Sequence, residues 1–116
     1  MMYIMDAEQY SFRKMASNYQ KAGIFPKGND GLADAWRHVA TSKYFTERYG
    51  ASITKILGVI NEGEAVIHYF ETDDEKQKAF IVEQTKMDFK NNKIGRNLAD
   101  KKVNLIQDAN KGQYNT

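Results

Sequence analysis

The chain has 116 residues, no cysteine and a formal net charge of +2, with 41% hydrophobic and 12% aromatic residues. These values predict one globular domain with its own hydrophobic core, and they exclude disulfides, thiolate metal sites and cysteine nucleophiles. No apolar run approaches the roughly 18–20 residues of a membrane span, and the first residues lack the pattern of a signal peptide. We therefore expect a cytoplasmic location by default, while export as part of a larger protein stays open.

Helical periodicity extends through nearly the whole chain, and no segment alternates as a half-buried strand would. The first predicted helix is capped by Asp6 and ends near Lys21. The segment 24–31 is rich in turn-forming residues and predicts a loop, whose two large apolar residues either fold back or contact a partner. A second helix is predicted over about 32–49, ended by Gly50.

The third predicted helix starts at a Ser52 cap and reaches Phe70. It contains Gly58 and Gly63, which permit either close helix packing or a break. Thr72 is the predicted cap of a fourth helix, because acidic residues follow it at the start of the next helical pattern.

The fourth predicted helix runs to about residue 92 and then either continues through Gly95 or bends there into a fifth helix ending near Asn110. Residues 112–116 should form a frayed tail. The sequence therefore predicts an all-α fold, a compact single-domain bundle of four to five helices over residues 1–116.

Polar side chains interrupt the apolar pattern of three predicted helices. One face of the second helix carries polar residues at i, i+3, i+4 and i+7, namely Asp34, Arg37, His38 and Thr41. A buried carboxylate or amide costs a few kcal/mol unless it is paired, so polar groups on the other helices should meet this face. The predicted site comprises Asp34, Arg37, His38, Glu62, Asp88, Asn91, Asn92 and Arg96.

The four candidate catalytic residues are a histidine and three carboxylates. His38 would act as general base or acid, oriented by Asp34 or Asp88, because imidazole titrates near neutrality and needs a partner to fix its tautomer. A muramidase-like version would use Glu62 as the acid with Asp88 as its partner, following the two-carboxylate logic of glycosidases.

The four candidate substrate-binding residues are two arginines and two amides. Arg37 and Arg96 would hold an anionic group, since guanidinium matches phosphate or carboxylate bidentately. Asn91 and Asn92 would donate hydrogen bonds to a carbonyl or a sugar. These roles fit hydrolysis of a phosphodiester, a glycan or a peptide bond equally well, so a small-molecule or polymer substrate stays open.

Two other readings of the polar residues stay open. Asp34, His38, Glu62 and Asp88 have metal-ligand chemistry, but two arginines beside them oppose a cation, so no metal and no cofactor is predicted. Alternatively, the arginines pair with the acids and only fix the helix register. The domain would then be a non-catalytic protein-binding module, an inhibitor or regulator of a host protein.

Two further features carry no predicted site. Lys86, Lys90 and Lys93 form a helical stripe, but no nucleic-acid reading motif accompanies it, so we do not predict nucleic-acid binding. His68 follows an apolar stretch and is predicted to be ordinary packing at a helix end.

Two motifs of the chain resemble those of a poorly characterised bacterial family of helical domains. They are Asp-Ala-Trp-Arg-His at 34–38 and Met-Asp-x-x-Asn-Asn-x-x-Gly-Arg at 87–96, with Glu62 between them. Family members read D-A-F-R-H-A and M-D-x-x-N-N-x-x-G-R, and the resemblance covers about 29–100. Asn61 stands where members commonly have a histidine, which argues against a two-histidine chemistry. Because such domains often occur in secreted or polymorphic-toxin-like proteins, the resemblance implies a toxin-like or effector module of bacterial or phage origin, and the hydrolytic activity is expected from the residue types described above.

Overall fold

The computed structural model describes residues 2–26, 29 and 31–116, with side chains from Ala7 onward. The predicted loop at 24–31 lies partly outside these residues. Within them, the chain forms five helices of nine or more residues and a short sixth, and no strand. The helices are α1 (Met2–Lys21), α2 (Gly31–Tyr49), α3 (Ala51–Asn61), α4 (Gly63–Glu71), α5 (Glu75–Asn97) and α6 (Leu105–Asn110). The predicted all-α fold is confirmed.

Helix α2 is the centre of the fold and packs against α1, α3, α5 and α6. Its apolar residues form most of the core, and Val39 is completely buried. The Trp36 ring lies 5.2 Å from that of Tyr19 in α1 and 6.5 Å from that of Phe25. Phe25, in the segment after α1, is itself buried, so this part of the chain folds back onto the domain.

Helix α5 continues through Gly95, ends at Asn97 and packs closely against α2. A β-carbon at Gly95 would overlap the carbonyl oxygen of Val39 and lie 2.7 Å from the β-carbon of Ser42. Only glycine allows the two helices to approach this closely, so close packing is the reason for a glycine at position 95. The close crossing brings the polar faces of α2 and α5 together.

The single helix predicted between 52 and 70 is two helices, separated at Glu62, which has φ −82° and ψ −1°. A β-carbon at Gly58 would lie 3.1 Å from the Asn92 side chain, whereas one at Gly63 would meet nothing within 4 Å. Gly58 therefore serves close packing between α3 and α5, and Gly63 lies at the break.

Three predicted helix caps are wrong. Asp6 lies inside α1, which begins upstream of it. Helix α3 starts directly after Gly50, whose φ of 90° makes the turn, so Ser52 is already helical and forms no cap. Asp74 caps α5 by accepting a backbone N–H of its first turn. Thr72 instead accepts the backbone N–H of Asp74, so the predicted cap lies two residues too early.

The last residues are not frayed as predicted. Tyr114 is buried, and its hydroxyl donates to the carbonyl oxygen of Leu105 at 2.9 Å. The backbone N–H and C=O of Asn115 pair with the side chain of Asn91, each at 2.8 Å. An aromatic anchor and an amide clamp therefore hold this segment against α5 and α6. None of the described helices has the length and apolar character that a bilayer span requires.

Candidate functional site

The imidazole of His38 is held between α2 and α5 by two side chains. Its Nδ1 lies 3.1 Å from Oδ1 of Asn92, and its Nε2 lies 3.1 Å from Oδ1 of Asp88. An amide oxygen only accepts hydrogen bonds, so Nδ1 is the protonated nitrogen of this pair. Asp88 and Asn92 are four residues apart on α5 and share a face, so one helix fixes both the orientation and the tautomer of His38.

Arg37 and Asp34 complete the surroundings of the imidazole on α2. Arg37 donates to Oδ1 of Asp34 through Nη2 at 2.8 Å and through Nε at 3.2 Å. The same Nη2 lies 3.2 Å from Nε2 of His38. Oδ2 of Asp34 lies 3.7 Å from Nε2 of His38. One guanidinium and two carboxylates therefore surround Nε2 of His38.

Glu62, at the break between α3 and α4, forms a carboxyl pair with Asp88. Burial, followed by the charge and hydrogen bond of Asp88, raises the pKa of Glu62 from 4.5 to about 7, against the opposing effect of His38 and Arg37. A negative charge on Asp88 disfavours ionisation of the neighbouring Glu62 carboxyl group. Glu62 is thus a neutral acid at mildly acidic pH.

A pocket of about 400 Å³ exposes these groups to solvent. Its wall includes His38, Glu62, Asp88 and Asn92, with side chains from α1 through α5. A second pocket of about 460 Å³ lies between α4 and α5 and also reaches Glu62 and Asp88. The carboxyl pair therefore stands where two pockets meet.

The structure brings six of the eight predicted site residues together and separates two. Asn91 is turned away from the pocket and is fully engaged with Asn115. Arg96 lies two turns beyond Asp88, half-buried and outside the pocket wall, and burial lowers its pKa. The group that meets comprises Asp34, Arg37, His38, Glu62, Asp88 and Asn92.

Several residues of the pocket wall lie outside the predicted site, among them Gln9, Arg13, Thr41 and His68. Gln9 and Arg13 line the pocket from α1, where their i, i+4 spacing indicates one shared face. The Thr41 hydroxyl is buried at the pocket and has no hydrogen-bond partner among the described residues. His68 is exposed and borders both pockets, so it is not the packing residue that its apolar neighbours indicated.

Asp34, His38 and Asp88 each place one potential ligand atom within 4.8 Å of the others, which is a spacing that metal sites also use. The Arg37 guanidinium contacts both Asp34 and His38 at this position. A cation there would lie beside a fixed positive charge, so the arrangement does not favour a metal ion.

Comparison with protein families identifies one match, to a domain of unknown function (DUF6973) over residues 1–114. Comparisons with the curated proteins and with the solved structures give no match. The matched range contains both motifs and also α1, which supplies two residues of the pocket wall. The chain therefore belongs to the DUF6973 family, whose function is not known.

Proposed function

We propose that this protein is a hydrolase that uses general acid–base catalysis at the His38–Asp88–Glu62 group. The observation that carries the proposal is that His38, Asp88 and Glu62 meet at the wall of an open pocket, with Nε2 of His38 3.1 Å from Oδ1 of Asp88 and the pKa of Glu62 raised by burial and by Asp88. A carboxyl group with a strongly raised pKa, a specific charge partner and a cleft is typical of catalytic sites.

Each of the three residues has a distinct role in this proposal. Nε2 of His38 takes a proton from the attacking water, because Asn92 holds the proton on Nδ1. Neutral Glu62 gives its proton to the leaving atom of the substrate. Asp88 contacts both groups, so it returns the proton from His38 to Glu62 and restores the starting state.

The pocket favours a substrate with an anionic group. Arg13 and Arg37 both line it, and guanidinium groups bind phosphate or carboxylate well. The carboxyl groups of Glu62 and Asp88 are hydrogen-bonded, whereas those of glycosidases stand about 5–9.5 Å apart. A phosphodiester therefore fits the site better than the muramidase-like reaction does.

The test is hydrolysis of a chromogenic phosphodiester, with a glycoside and a peptide substrate beside it. Glu62→Gln and His38→Ala should each lower the rate about 100-fold or more, as loss of a general acid or base does. Glu75→Gln is the matched control, because Glu75 is exposed at the start of α5. Equal rates for the unmodified protein, Glu62→Gln and His38→Ala on every substrate would refute the proposal.

A second candidate function is a non-catalytic protein-binding module whose polar residues only fix the helices. It is favoured by the internal pairing of the site, in which Arg37 is bonded to Asp34 and His38 to Asn92. Thermal unfolding of His38→Ala separates the two candidates. A loss of several kcal/mol indicates a structural network, whereas an unchanged or higher midpoint indicates a functional site.

We also propose that the protein is a toxin-like effector of bacterial or phage origin, which rests on the motif resemblance alone. Inducible expression in a bacterial host tests it. Growth should stop with the unmodified chain and continue with Glu62→Gln at an equal protein level. Equal growth with both proteins would show that the chain is not a toxin of this kind.

A further inference from the structure

Helix α4 carries apolar side chains that nothing in the described residues covers. None of its residues is buried, although Val66, Ile67 and Phe70 are large and apolar. Phe70 has 78% of its surface exposed. An isolated helix of nine residues is not stable in water, so α4 depends on packing that this chain provides only through α3 and α5. Exposed apolar patches of this kind mark interaction surfaces.

The exposed area of the chain points in the same direction. The chain exposes 7689 Å². A monomeric globular protein of this mass exposes about 6,500 Å², so the excess is about 1,200 Å². Stable homodimers cover about 800–1,000 Å² or more on each partner. The excess is therefore comparable in size to the area that one copy covers on forming a dimer.

The same surface contains both a protruding ring and a cavity that accepts one. An apolar hollow of about 280 Å³ lies between α4 and α5 and is lined by Val66, Tyr69 and Val82 among others. Cavities of about 150 Å³ already hold a benzene ring. Phe70 lies four residues after Val66, on the same face of α4, and its ring centroid is 5.4 Å from that of Tyr69, which lines the hollow.

We propose that two copies of this chain associate through α4 and α5, each inserting Phe70 into the hollow of the other. A two-fold dimer requires that one surface carry both members of each contact, and this surface does. The polar residues around it have both signs, as in the Glu75–Lys78 and Glu83–Lys86 pairs, so a second copy finds complementary charges. An anionic membrane or a nucleic acid would instead need a basic surface.

The consequence for the site is that dimer formation stabilises α4, which contributes Glu64 and His68 to the pocket wall and follows directly after Glu62. The dimer is independent of which reaction the pocket performs. Its test therefore needs no substrate and stands whether or not the chain is a hydrolase.

The experiment is sedimentation of the full chain from about 1 µM to about 500 µM, a range that covers dimers of moderate affinity. We expect a concentration-dependent dimer. Phe70→Asp should raise its dissociation constant at least about thirtyfold, as loss of a central aromatic contact does. Tyr10→Asp is the matched control, because Tyr10 is an exposed aromatic residue on α1. Both substitutions lie at the surface, and circular dichroism should show unchanged helix content.

A second pair of variants tests the reciprocal contact. Val82→Arg fills the hollow and should also prevent dimers. An equimolar mixture of Phe70→Asp and Val82→Arg should form heterodimers, because one intact Phe70 meets one intact hollow and the introduced charges meet at the other contact. A monomer at all concentrations, a dimer insensitive to Phe70→Asp, or a mixture that stays monomeric would each overturn the proposal. Binding of the monomer to phosphatidylcholine vesicles through Phe70 would assign the surface to lipid instead.

Discussion

Gly95 of α5 lies directly against the backbone of Val39 in α2, and a β-carbon at this position would overlap the Val39 carbonyl oxygen. We predict that Gly95→Ala forces the two helices apart and lowers the free energy of unfolding by about 1–3 kcal/mol, the usual cost of overpacking. It should also lengthen the His38–Asp88 contact. Chemical denaturation and the imidazole NMR signals of His38 measure these two effects.

The matched control for this prediction is Gly63→Ala, because Gly63 is also helical but has open space where the β-carbon would be. This substitution should leave stability unchanged or raise it slightly, since alanine is the better helix former. If both variants lost the same stability, close packing at Gly95 would not be the cause.

Asn91 and Asn92 are adjacent, but we expect their substitution by alanine to have different effects. Asn91→Ala removes three hydrogen bonds to Asn115 and should cost about 2–4 kcal/mol, because the buried backbone groups lose their partners. It should also expose residues 112–116 to carboxypeptidase. Asn97→Ala, at an exposed position on α5, is the control and should leave digestion unchanged.

Asn92→Ala should affect the imidazole of His38 and leave the C-terminal segment unchanged. It removes the acceptor of His38 Nδ1 and so should change the tautomer of the imidazole, which nitrogen-15 NMR reports directly. Resistance of residues 112–116 to digestion should stay at the level of the unmodified protein. A tautomer unaffected by Asn92→Ala would remove Asn92 from its assigned role.

The raised pKa of Glu62 makes stability depend on pH in a defined direction. Between pH 4.5 and about 7 the folded state holds a proton that the unfolded state has lost, so stability falls as pH rises through this window. Because Glu62 is only half-buried, we expect a loss of about 1–2 kcal/mol after screening. Above about pH 7 Glu62 is ionised in both the folded and the unfolded state, so stability should not fall further through this residue.

Glu62→Gln should therefore gain stability relative to the unmodified protein as pH rises from 4.5 to 7. Glu75→Gln, which removes an exposed carboxylate, is the control. Denaturant midpoints at pH 4.5, 5.5, 6.5 and 7.5 would show the difference, and parallel curves for all three proteins would contradict the raised pKa of Glu62.

The Thr41 hydroxyl is buried at the pocket and has no partner among the described residues, so we predict that it serves a bound molecule. Thr41→Val should leave stability unchanged or raise it, because it removes an unsatisfied polar group and keeps the shape. Ligand or substrate affinity should fall severalfold in the same variant. A clear loss of stability without an effect on binding would show that the hydroxyl has a structural partner.

The sequence predicts the meeting of Asp34, Arg37 and His38 with α5 because helical spacing alone puts those residues on one face. Spacing could not decide between Asn91 and Asn92, which are one residue apart and differ by about 100° around the helix. Both amides interrupt an apolar pattern, and only the position of α2 and of Asn115 shows which one faces the pocket.

Other features depend on contacts that sequence patterns do not encode. The anchoring of Tyr114 requires a carbonyl oxygen of Leu105 and a core that its own segment does not supply. The pocket residues Gln9 and Arg13 lie in α1, whose packing on α2 brings them to the site. Local propensity is a weak guide at such places, because tertiary packing outweighs it.

The break at Glu62 divides the site between two parts of the fold that differ in how firmly they are held. His38, Asp88 and Asn92 belong to α2 and α5, the pair with the most extensive packing, whereas Glu62 joins α3 to the sparsely packed α4. A swing of α4 would separate Glu62 from Asp88, return the acid toward its ordinary ionisation and leave the histidine in place. The ionisation of Glu62 therefore depends on the position of one short helix, whereas His38 is held between Asn92 and Asp88 by the two best-packed helices.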